Sequence, residues 1–241
     1  MALPGIRTWN EPTPARVLAI YAHPDDPDVS CGGTLARWAS EGSQVRILIC
    51  TRGEKGSQDP DTDPDTLASR RATEVADSAR ILGVAGHEIL GYGDGELVND
   101  AELRERLVER IRSFRPDVVV APDPTAVFFG SSYVNHHDHR ELGFAVLDAC
   151  YPAAYSPLYF PAAGSPHRVH AIFLSGTLEP DTAVDVSGSL ECKIRALTAH
   201  ESQLRADAHV IGEALRERAA DAGARAGMEF AEEFRVIRVV A

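Results

Sequence analysis

The chain has 241 residues, of which 44% are hydrophobic and 25% charged, a balance that excludes general disorder and indicates a folded globular protein. Its formal net charge of −12 argues against nucleic acid and membrane surfaces as partners, because an acidic surface repels phosphate groups. The four cysteines form no CxxC pair, and the sequence has neither a signal-peptide pattern nor an apolar run near ~18 residues, so we expect a cytoplasmic protein.

Strands and helices alternate along the chain after a proline-rich segment, 1–14, that predicts an irregular lead-in. In chain order, the pattern predicts strand 16–21, helix 33–42, strand 45–51, loop 53–66, helix 67–83, strand 88–90, helix 100–114, strand 117–121, helix 138–150, strand 169–174, a helical stretch 189–222 broken near 205–209, and strand 234–240. Asp100 stands where the third of these helices needs its N-cap.

The predicted strands are short and apolar without polar alternation, which is typical of strands that are covered on both faces. We therefore predict an α/β fold, a Rossmann-like and mostly parallel sheet flanked by helices with a C-terminal helical and strand extension, in a single domain spanning 1–241. Ligands of such sheets bind at the carboxyl ends of the strands. That rule singles out the loops 22–32, 52–66 and 122–138.

One imidazole and three carboxylates follow the first predicted strand within six residues: His23, Asp25, Asp26 and Asp28. Imidazole nitrogen and carboxylate oxygen are both zinc ligands, and like charges this close require a compensating cation or solvent. The alternative is an Asp-Pro turn with an exposed histidine. The residues alone leave these two interpretations open.

A second cluster, Asn-His-His-Asp-His at 135–139, lies where the loop after the fourth predicted strand leads into a helix. His136 and His139 are three residues apart and share a face if the helix begins there. The alternative is a polar helix start capped by Asp138 or Asn135. If the two clusters converge, a His-Asp-His set leaves a coordination position for water, and a spare carboxylate and imidazole are available for proton transfer and oxyanion stabilisation.

The HPDD string at 23–26 together with the HxDH string at 136–139 resembles the PIG-L/LmbE superfamily, which includes de-N-acetylases of N-acetylglucosaminyl compounds and amidases of thiol cofactors. The resemblance covers about 16–205, with further matches in GGT at 32–34, EG at 41–42, TRGE at 51–54, Arg71, Glu74, ILGV at 81–84, Asp94, Lys193 and HESQ at 200–203. The chain departs from the family at His137, where proline is usual, and we assign that histidine no role.

This resemblance implies zinc-dependent hydrolysis of the N-acyl amide, usually acetyl, of an amino sugar or another glucosaminyl-containing small molecule. It implies that the metal is Zn2+, with another divalent ion such as Fe2+ as the alternative. The implied metal ligands are His23, Asp26 and His139.

The resemblance also implies roles for residues around the metal. Asp25 matches the general base, His136 the residue that supports the oxyanion or the leaving amine, and Asp138 the residue that orients this histidine. Arg71 and Asp94 match positions that contact the sugar, and the family places the string containing His200 near the pocket.

Three other functions remain open at this level. The first is a non-catalytic small-molecule-binding protein on a Rossmann-like scaffold, although GYGDGE at 91–96 does not follow the first strand as a dinucleotide fingerprint must. The second is an amidase of a thiol conjugate, and the third is a metal-dependent phosphoesterase, which commonly uses two metal ions. The sequence does not define the oligomeric state, so a homo-oligomer stays open.

Overall fold

Ten strands and six helices make up the computed structural model, which describes residues 5–204 and 206–239. The strands are β1 (Arg7–Thr8), β2 (Arg16–Tyr21), β3 (Gln44–Thr51), β4 (Gly86–Tyr92), β5 (Val118–Pro122), β6 (Phe128–Phe129), β7 (Tyr133–Val134), β8 (Ala171–Ser175), β9 (Thr182–Asp185) and β10 (Ala231–Arg238). The helices are α1 (Asp26–Ser40), α2 (Pro64–Leu82), α3 (Ala101–Phe114), α4 (His137–Asp148), α5 (Leu190–Thr198) and α6 (Ala208–Ala226). A π-helical turn, Ala149–Ala153, follows α4, and a 3-10 turn, Glu201–Gln203, follows α5.

Eight of the strands form one sheet in the order β1-β9-β10-β8-β5-β2-β3-β4. Every neighbouring pair is parallel except those of β10, which runs antiparallel to both β8 and β9. The strands β6 and β7 pair with each other as a separate antiparallel ribbon. The predicted α/β fold with a mostly parallel sheet is therefore confirmed, and the C-terminal extension contributes the antiparallel strand.

Both faces of the sheet are covered, as the side chains of β2 show. Leu18 and Ile20 join the apolar cluster that contains α3 and α4, whereas Val17, Ala19 and Tyr21 join the cluster on the opposite face with α1. Because successive strand residues point to opposite faces, a strand buried on both sides has no polar positions. This explains the uninterrupted apolar runs in the sequence.

The first helix begins at Asp26, earlier than the sequence pattern predicts. Two acidic side chains in its first turn favour the helix N-terminus, and Pro27 is tolerated there because its missing N–H is not needed. The helix is kinked at Cys31, whose backbone is non-helical, and two glycines follow it. Apolar periodicity, which is the usual sign of a helix, starts only after these glycines, so the sequence pattern detects the second half alone.

Other boundaries also differ from the sequence-based expectations. The helix predicted from residue 67 starts at Pro64, after an Asp63 cap whose side chain accepts the N–H of Thr66. The stretch predicted over 189–222 forms α5 and α6, separated by the 3-10 turn; residue 205, within the predicted break, lies outside the described residues. The Asp100 cap of α3 is present, accepting the N–H of Leu103. None of the described helices combines the length and hydrophobicity that crossing a bilayer requires.

The position of β2 in the sheet determines where loops converge. It lies between β3 and β5, so the chain proceeds from β2 toward one edge of the sheet and later returns to build the other side. A ligand crevice forms where the strand order reverses, outside the carboxyl ends of the two central strands. The loop after β2 and the loop after β5 both open into this crevice.

Candidate active site

Two segments that are far apart in sequence meet at the carboxyl ends of β2 and β5. His23 Nδ1 lies 3.1 Å from His139 Nε2 and 3.3 Å from Asp26 Oδ2. The other carboxylate oxygen of Asp26 lies 3.2 Å from His139 Nε2. The three side chains thus direct their donor atoms toward one shared point, and this set can hold a metal ion.

The spacing of these donor atoms fits a zinc ion. Zinc bonds of about 2.0–2.1 Å in tetrahedral geometry separate neighbouring ligand atoms by about 3.3 Å. The two ring nitrogens, 3.1 Å apart, are close to that spacing, and each lies 3.2 or 3.3 Å from one of the two oxygens of Asp26. Two nitrogens with one carboxylate are a common zinc donor set. Three protein ligands leave a tetrahedral position for solvent or substrate, which is the arrangement of a catalytic centre.

Two carboxylates orient the ring of His23. Its Nε2 lies 3.2 Å from Asp138 Oδ2 and 3.2 Å from Asp94 Oδ1, so this nitrogen is the protonated one and Nδ1 is left to bind a cation. Asp138 is fully buried and also accepts the backbone N–H groups of Gly95 and Leu97. The sequence resemblance implied that Asp138 orients His136. In the structure the Asp138 carboxylate is 3.9 Å from Nδ1 of His136 and 3.2 Å from Nε2 of His23.

An asparagine orients the third ligand. Asn135 Oδ1 lies 2.9 Å from His139 Nδ1, which leaves Nε2 of that ring for the metal. The amide nitrogen of Asn135 donates to the carbonyl of Ala126, so the asparagine is itself fixed. Sequence reasoning considered Asn135 only as a helix cap. Its position four residues before His139 is the feature of the sequence that could have indicated this contact.

His136 occupies the N-cap position of α4, where its Nδ1 accepts the backbone N–H of Asp138 at 3.2 Å. Its ring packs edge-on against that of His23, with centroids 4.6 Å apart, and 42% of its side chain is exposed. Burial, together with the neighbouring positive charge of His23, lowers the pKa of His136. A neutral ring whose Nδ1 accepts must carry its proton on Nε2, so that nitrogen can donate to an oxyanion.

Asp25 directly precedes Asp26 and is held by Arg71. Its Oδ1 accepts from an Arg71 guanidinium nitrogen at 2.5 Å, and another nitrogen of that guanidinium donates to the carbonyl of Gly53 at 2.8 Å. A side chain on Gly53 would place its Cβ 2.4 Å from Arg71 Nη1, and the residue has φ of +65°, so only glycine fits. Arg71, expected at the sugar, is only 2% exposed and instead fixes Asp25.

The structure does not bring His200 to the same crevice. It is completely buried, and its Nε2 lies 2.9 Å from Asp28 Oδ2, while the hydroxyl of Ser78 donates to the other oxygen of that carboxylate. This set connects α1 to α2 and to the end of α5, behind the residues that face the crevice. His137 is exposed at the start of α4 and lies outside the ligand clusters.

The crevice is strongly anionic. Burial lowers the pKa of His23, but the carboxylates of Asp26, Asp138 and Asp94 outweigh it and raise that pKa to about 12. The pKa of Asp26 is correspondingly lowered, since the charges of His139 and His23 outweigh the burial that would raise it. An environment that favours positive charge on an imidazole to this extent also favours a bound divalent cation.

A cavity of about 550 Å3 opens beside the ligand set, within the range of about 300–1,000 Å3 that is typical of small-molecule sites. Its lining includes Asp26 and His139, the ribbon residues Phe129 and Tyr133, and Arg218 of α6. A second cavity, of about 420 Å3, lies at the opposite end of the strands, between the start of β4 and the end of α3. Of these two cavities, the first adjoins Asp26 and His139.

Comparison with known proteins agrees with this architecture. The family model described as PIG-L: GlcNAc-PI de-N-acetylase matches residues 18–150. Diacetylchitobiose deacetylase of Thermococcus kodakarensis is 36% identical over 226 residues, which cover 92% of this chain and 83% of that protein. The 1D-myo-inositol 2-acetamido-2-deoxy-alpha-D-glucopyranoside deacetylase of Kineococcus radiotolerans is 29% identical over 268 residues, covering 84% of this chain and 73% of that protein.

A solved structure provides the corresponding match in three dimensions. The N,N'-diacetylchitobiose deacetylase from Pyrococcus horikoshii, in complex with an inhibitor, has a TM-score of 0.85 and 31% sequence identity. The alignment covers 93% of this chain and 84% of that chain. Since the family pattern spans more than half of the sequence and contains both histidine clusters, the chain belongs to the PIG-L family of de-N-acetylases.

Proposed function

We propose that this protein hydrolyses the N-acetyl amide of a small molecule that contains N-acetylglucosamine, and that Zn2+ or another divalent ion such as Fe2+ assists the reaction. The observation that carries the proposal is the convergence of His23, Asp26 and His139 beside the carboxylate of Asp25. The names of the relatives support it, because each acts on an N-acetylated amino sugar.

His23, Asp26 and His139 would hold the ion, with Asp138 and Asn135 fixing the two imidazoles. When bound, a divalent cation lowers the pKa of a coordinated water toward ~7 and polarises the acyl carbonyl. The protein then has to remove the water's proton, stabilise the charge that develops on the carbonyl oxygen, and protonate the leaving amine.

Asp25 is the proposed general base. Arg71, which is itself anchored to the carbonyl of Gly53, fixes Asp25 through one carboxylate oxygen, and the other oxygen makes no hydrogen bond with any described residue. A base positioned in this way contributes about 10²- to 10⁴-fold to the rate of such reactions. On this proposal Arg71 is a positioning residue that acts through Asp25.

His136 is the proposed oxyanion donor, through the Nε2–H that its helix-capping hydrogen bond leaves available. The collapse of the tetrahedral intermediate then requires a proton on the amine, and Asp25, protonated in the first step, and His136 are the two donors within this site. Asp94, whose carboxylate lies 3.2 Å from His23, remains the proposed sugar contact. His200 is proposed to position α1 through Asp28 and to make no contact with substrate.

An acetate-release assay tests this function. The purified protein is stripped of metal with a chelator, reloaded with Zn2+ or Fe2+, and incubated with N-acetylglucosamine, N,N'-diacetylchitobiose and an N-acetylglucosaminyl inositol. We expect acetate release that depends on the added ion. Release of phosphate from phosphate esters in the absence of acetate release, or full activity after complete metal removal, contradicts the proposal.

A further inference from the structure

The cavity beside the metal-binding set continues into a groove under α6. A smaller cavity of about 80 Å3 adjoins the 550 Å3 one, and the two share six lining residues. We call this shared part the distal groove; it consists of Ser30, Gly176, Thr177, Arg218, Arg225 and Glu233. The larger cavity also touches Asp26 and His139, so a ligand at the metal can extend along the same depression to α6.

One arginine of the distal groove has no partner in the described part of the chain. Arg225 forms two hydrogen bonds to the carboxylate of Glu233, at 2.8 and 2.6 Å. Arg216, two residues before Arg218 on α6, binds Glu191 and Glu213. By contrast, Arg218 makes no hydrogen bond, ion pair or aromatic contact with any residue in 5–204 or 206–239, so its guanidinium is available to a ligand.

The two ends of the depression therefore differ in charge. At the metal-binding end, Asp26, Asp94 and Asp138 make the environment anionic. In the distal groove, the carboxylate of Glu233 is neutralised by Arg225, and the charge that remains is the positive charge of Arg218. A substrate with a neutral acetamido end and an anionic distal end complements both.

We propose that the distal groove binds the part of the substrate attached to the N-acetylated sugar, and that Arg218 selects for an anionic group there, a carboxylate or a phosphate. Guanidinium binds either anion through two parallel hydrogen bonds, which fixes orientation as well as charge. This inference rests on the proposed deacetylase function and adds the class of substrate. Arg218 is then a specificity-determining residue.

Three matched disaccharides test the inference. Each carries N-acetylglucosamine on a second sugar, which is glucose, glucuronic acid or glucose 6-phosphate. We expect kcat/KM for the better anionic substrate to exceed that for the neutral one by about tenfold, the contribution of a charged hydrogen-bonded contact. Whichever of the two anionic disaccharides is hydrolysed faster identifies the preferred anion as carboxylate or phosphate. Added salt should reduce the preference for the anionic over the neutral disaccharide.

Variants then assign the preference to Arg218. In Arg218→Gln the anionic-to-neutral ratio should fall to near one, whereas Arg216→Gln, which changes a neighbouring arginine paired away from the groove, should retain it. Calorimetric binding of the deacetylated products to both variants and to the wild type separates this inference from the proposed function. If no acetate is released, tighter binding of the anionic products that depends on Arg218 still supports the inference. Equal binding or turnover of neutral and anionic compounds overturns it. A preference for anionic compounds that is retained in Arg218→Gln also overturns it.

Discussion

The proposed function divides the work of the site between residues that bind metal and residues that transfer protons, and two substitutions should separate these tasks. We expect His139→Ala to lose the metal, because it removes one of three ligands. Asp25→Asn should keep the metal and lose about 10²- to 10⁴-fold in kcat, because only the proton acceptor is gone. Metal content by mass spectrometry and acetate release by a coupled assay measure both effects. A metal-free His139→Ala protein with full activity would refute the assignment of this ligand.

Asn135 provides a test of how the ligands are oriented. It contacts His139 at the nitrogen opposite the metal-binding one, so Asn135→Ala should weaken zinc binding by about 10- to 100-fold without removing a ligand. Asn135→Asp keeps an acceptor oxygen at this position and should restore much of the affinity. Competition with a chromophoric chelator measures both values. Unchanged affinity in Asn135→Ala would mean that the asparagine only anchors its loop through the bond to Ala126.

At this scale, the sequence predicts which residues come together at the candidate site better than it predicts the contacts that hold them. His23, Asp26 and His139 could be found because clustered metal-binding side chains at strand ends are unusual without a ligand. The contact from Asp138 to His23 and the one from Arg71 to Asp25 join distant segments, so only the folded chain reveals them. The same holds for His200, whose sequence context gives no indication that it is completely buried.

Among the elements, α3 determines the shape of the segment that follows the π-helical turn. Arg112 of α3 is 4% exposed, and its guanidinium donates to six backbone carbonyls, those of Ala153, Ala154, Ser156, Tyr159, Phe160 and Gly164. The described residues of this segment form no regular helix or strand, so the guanidinium of Arg112 supplies donors to carbonyls that secondary structure would otherwise satisfy.

Replacing that side chain should therefore destabilise the protein substantially. We expect Arg112→Met to lower the free energy of unfolding by at least ~3 kcal/mol, since several buried carbonyls lose their donors at once. Arg110→Met, on the same helix, removes a partly exposed pair with Glu88 and should cost less than ~1 kcal/mol. Urea denaturation of both variants gives the comparison. Equal destabilisation of the two would show that Arg112 is not the organising contact.

Elements differ in how well their sequence reveals them. The long strands and the amphipathic helix α3 are encoded locally, by apolar runs and by 3.6-residue periodicity. β1, β6, β7 and β9 have two to four residues each, too few for a pattern, and they exist because neighbouring strands or loops complete their hydrogen bonds. The first half of α1 is concealed by its proline and glycines, although it carries Asp26.

For the molecule as a whole, the C-terminal extension is connected to the catalytic end by a buried ion pair. Glu232 of β10 accepts the backbone N–H groups of Gly33 and Thr34, just after the kink in α1, and pairs with Lys193 of α5 at 2.5 Å. Both side chains are about 95% buried, since 6% and 5% of Lys193 and Glu232 remain exposed. Three elements therefore meet at one carboxylate.

Breaking this pair should destabilise the whole fold, because it leaves a charge buried without compensation. We expect Glu232→Ala to lower the free energy of unfolding by about 3–5 kcal/mol. The double variant Glu232→Gln with Lys193→Met removes both charges and should be less destabilised than Glu232→Ala. Thermal and urea unfolding of the single and double variants supply the values. A double variant that is less stable than Glu232→Ala would show that the pair does not act through charge.

The global topology was predictable in outline because alternation of strands and helices restricts the possible sheets to a few right-handed arrangements. The antiparallel direction of β10 was not predictable, since its residues, AEEFRVIR, do not indicate a direction and its partners β8 and β9 lie well before it in the chain. Local patterns indicate that a strand exists, but its direction is decided by where the preceding helix, α6, returns the chain to the sheet.

The separation of the metal ligands along the chain has a thermodynamic consequence. His23 and His139 are 116 positions apart, and each follows a different central strand. A divalent ion that joins them therefore acts as a cross-link between two halves of the polypeptide, present only when both halves are folded. By mass action, an ion at 100 times its dissociation constant contributes about 2.7 kcal/mol to the native state. A supply of the ion would thus shift the equilibrium toward the folded form even when no substrate is present.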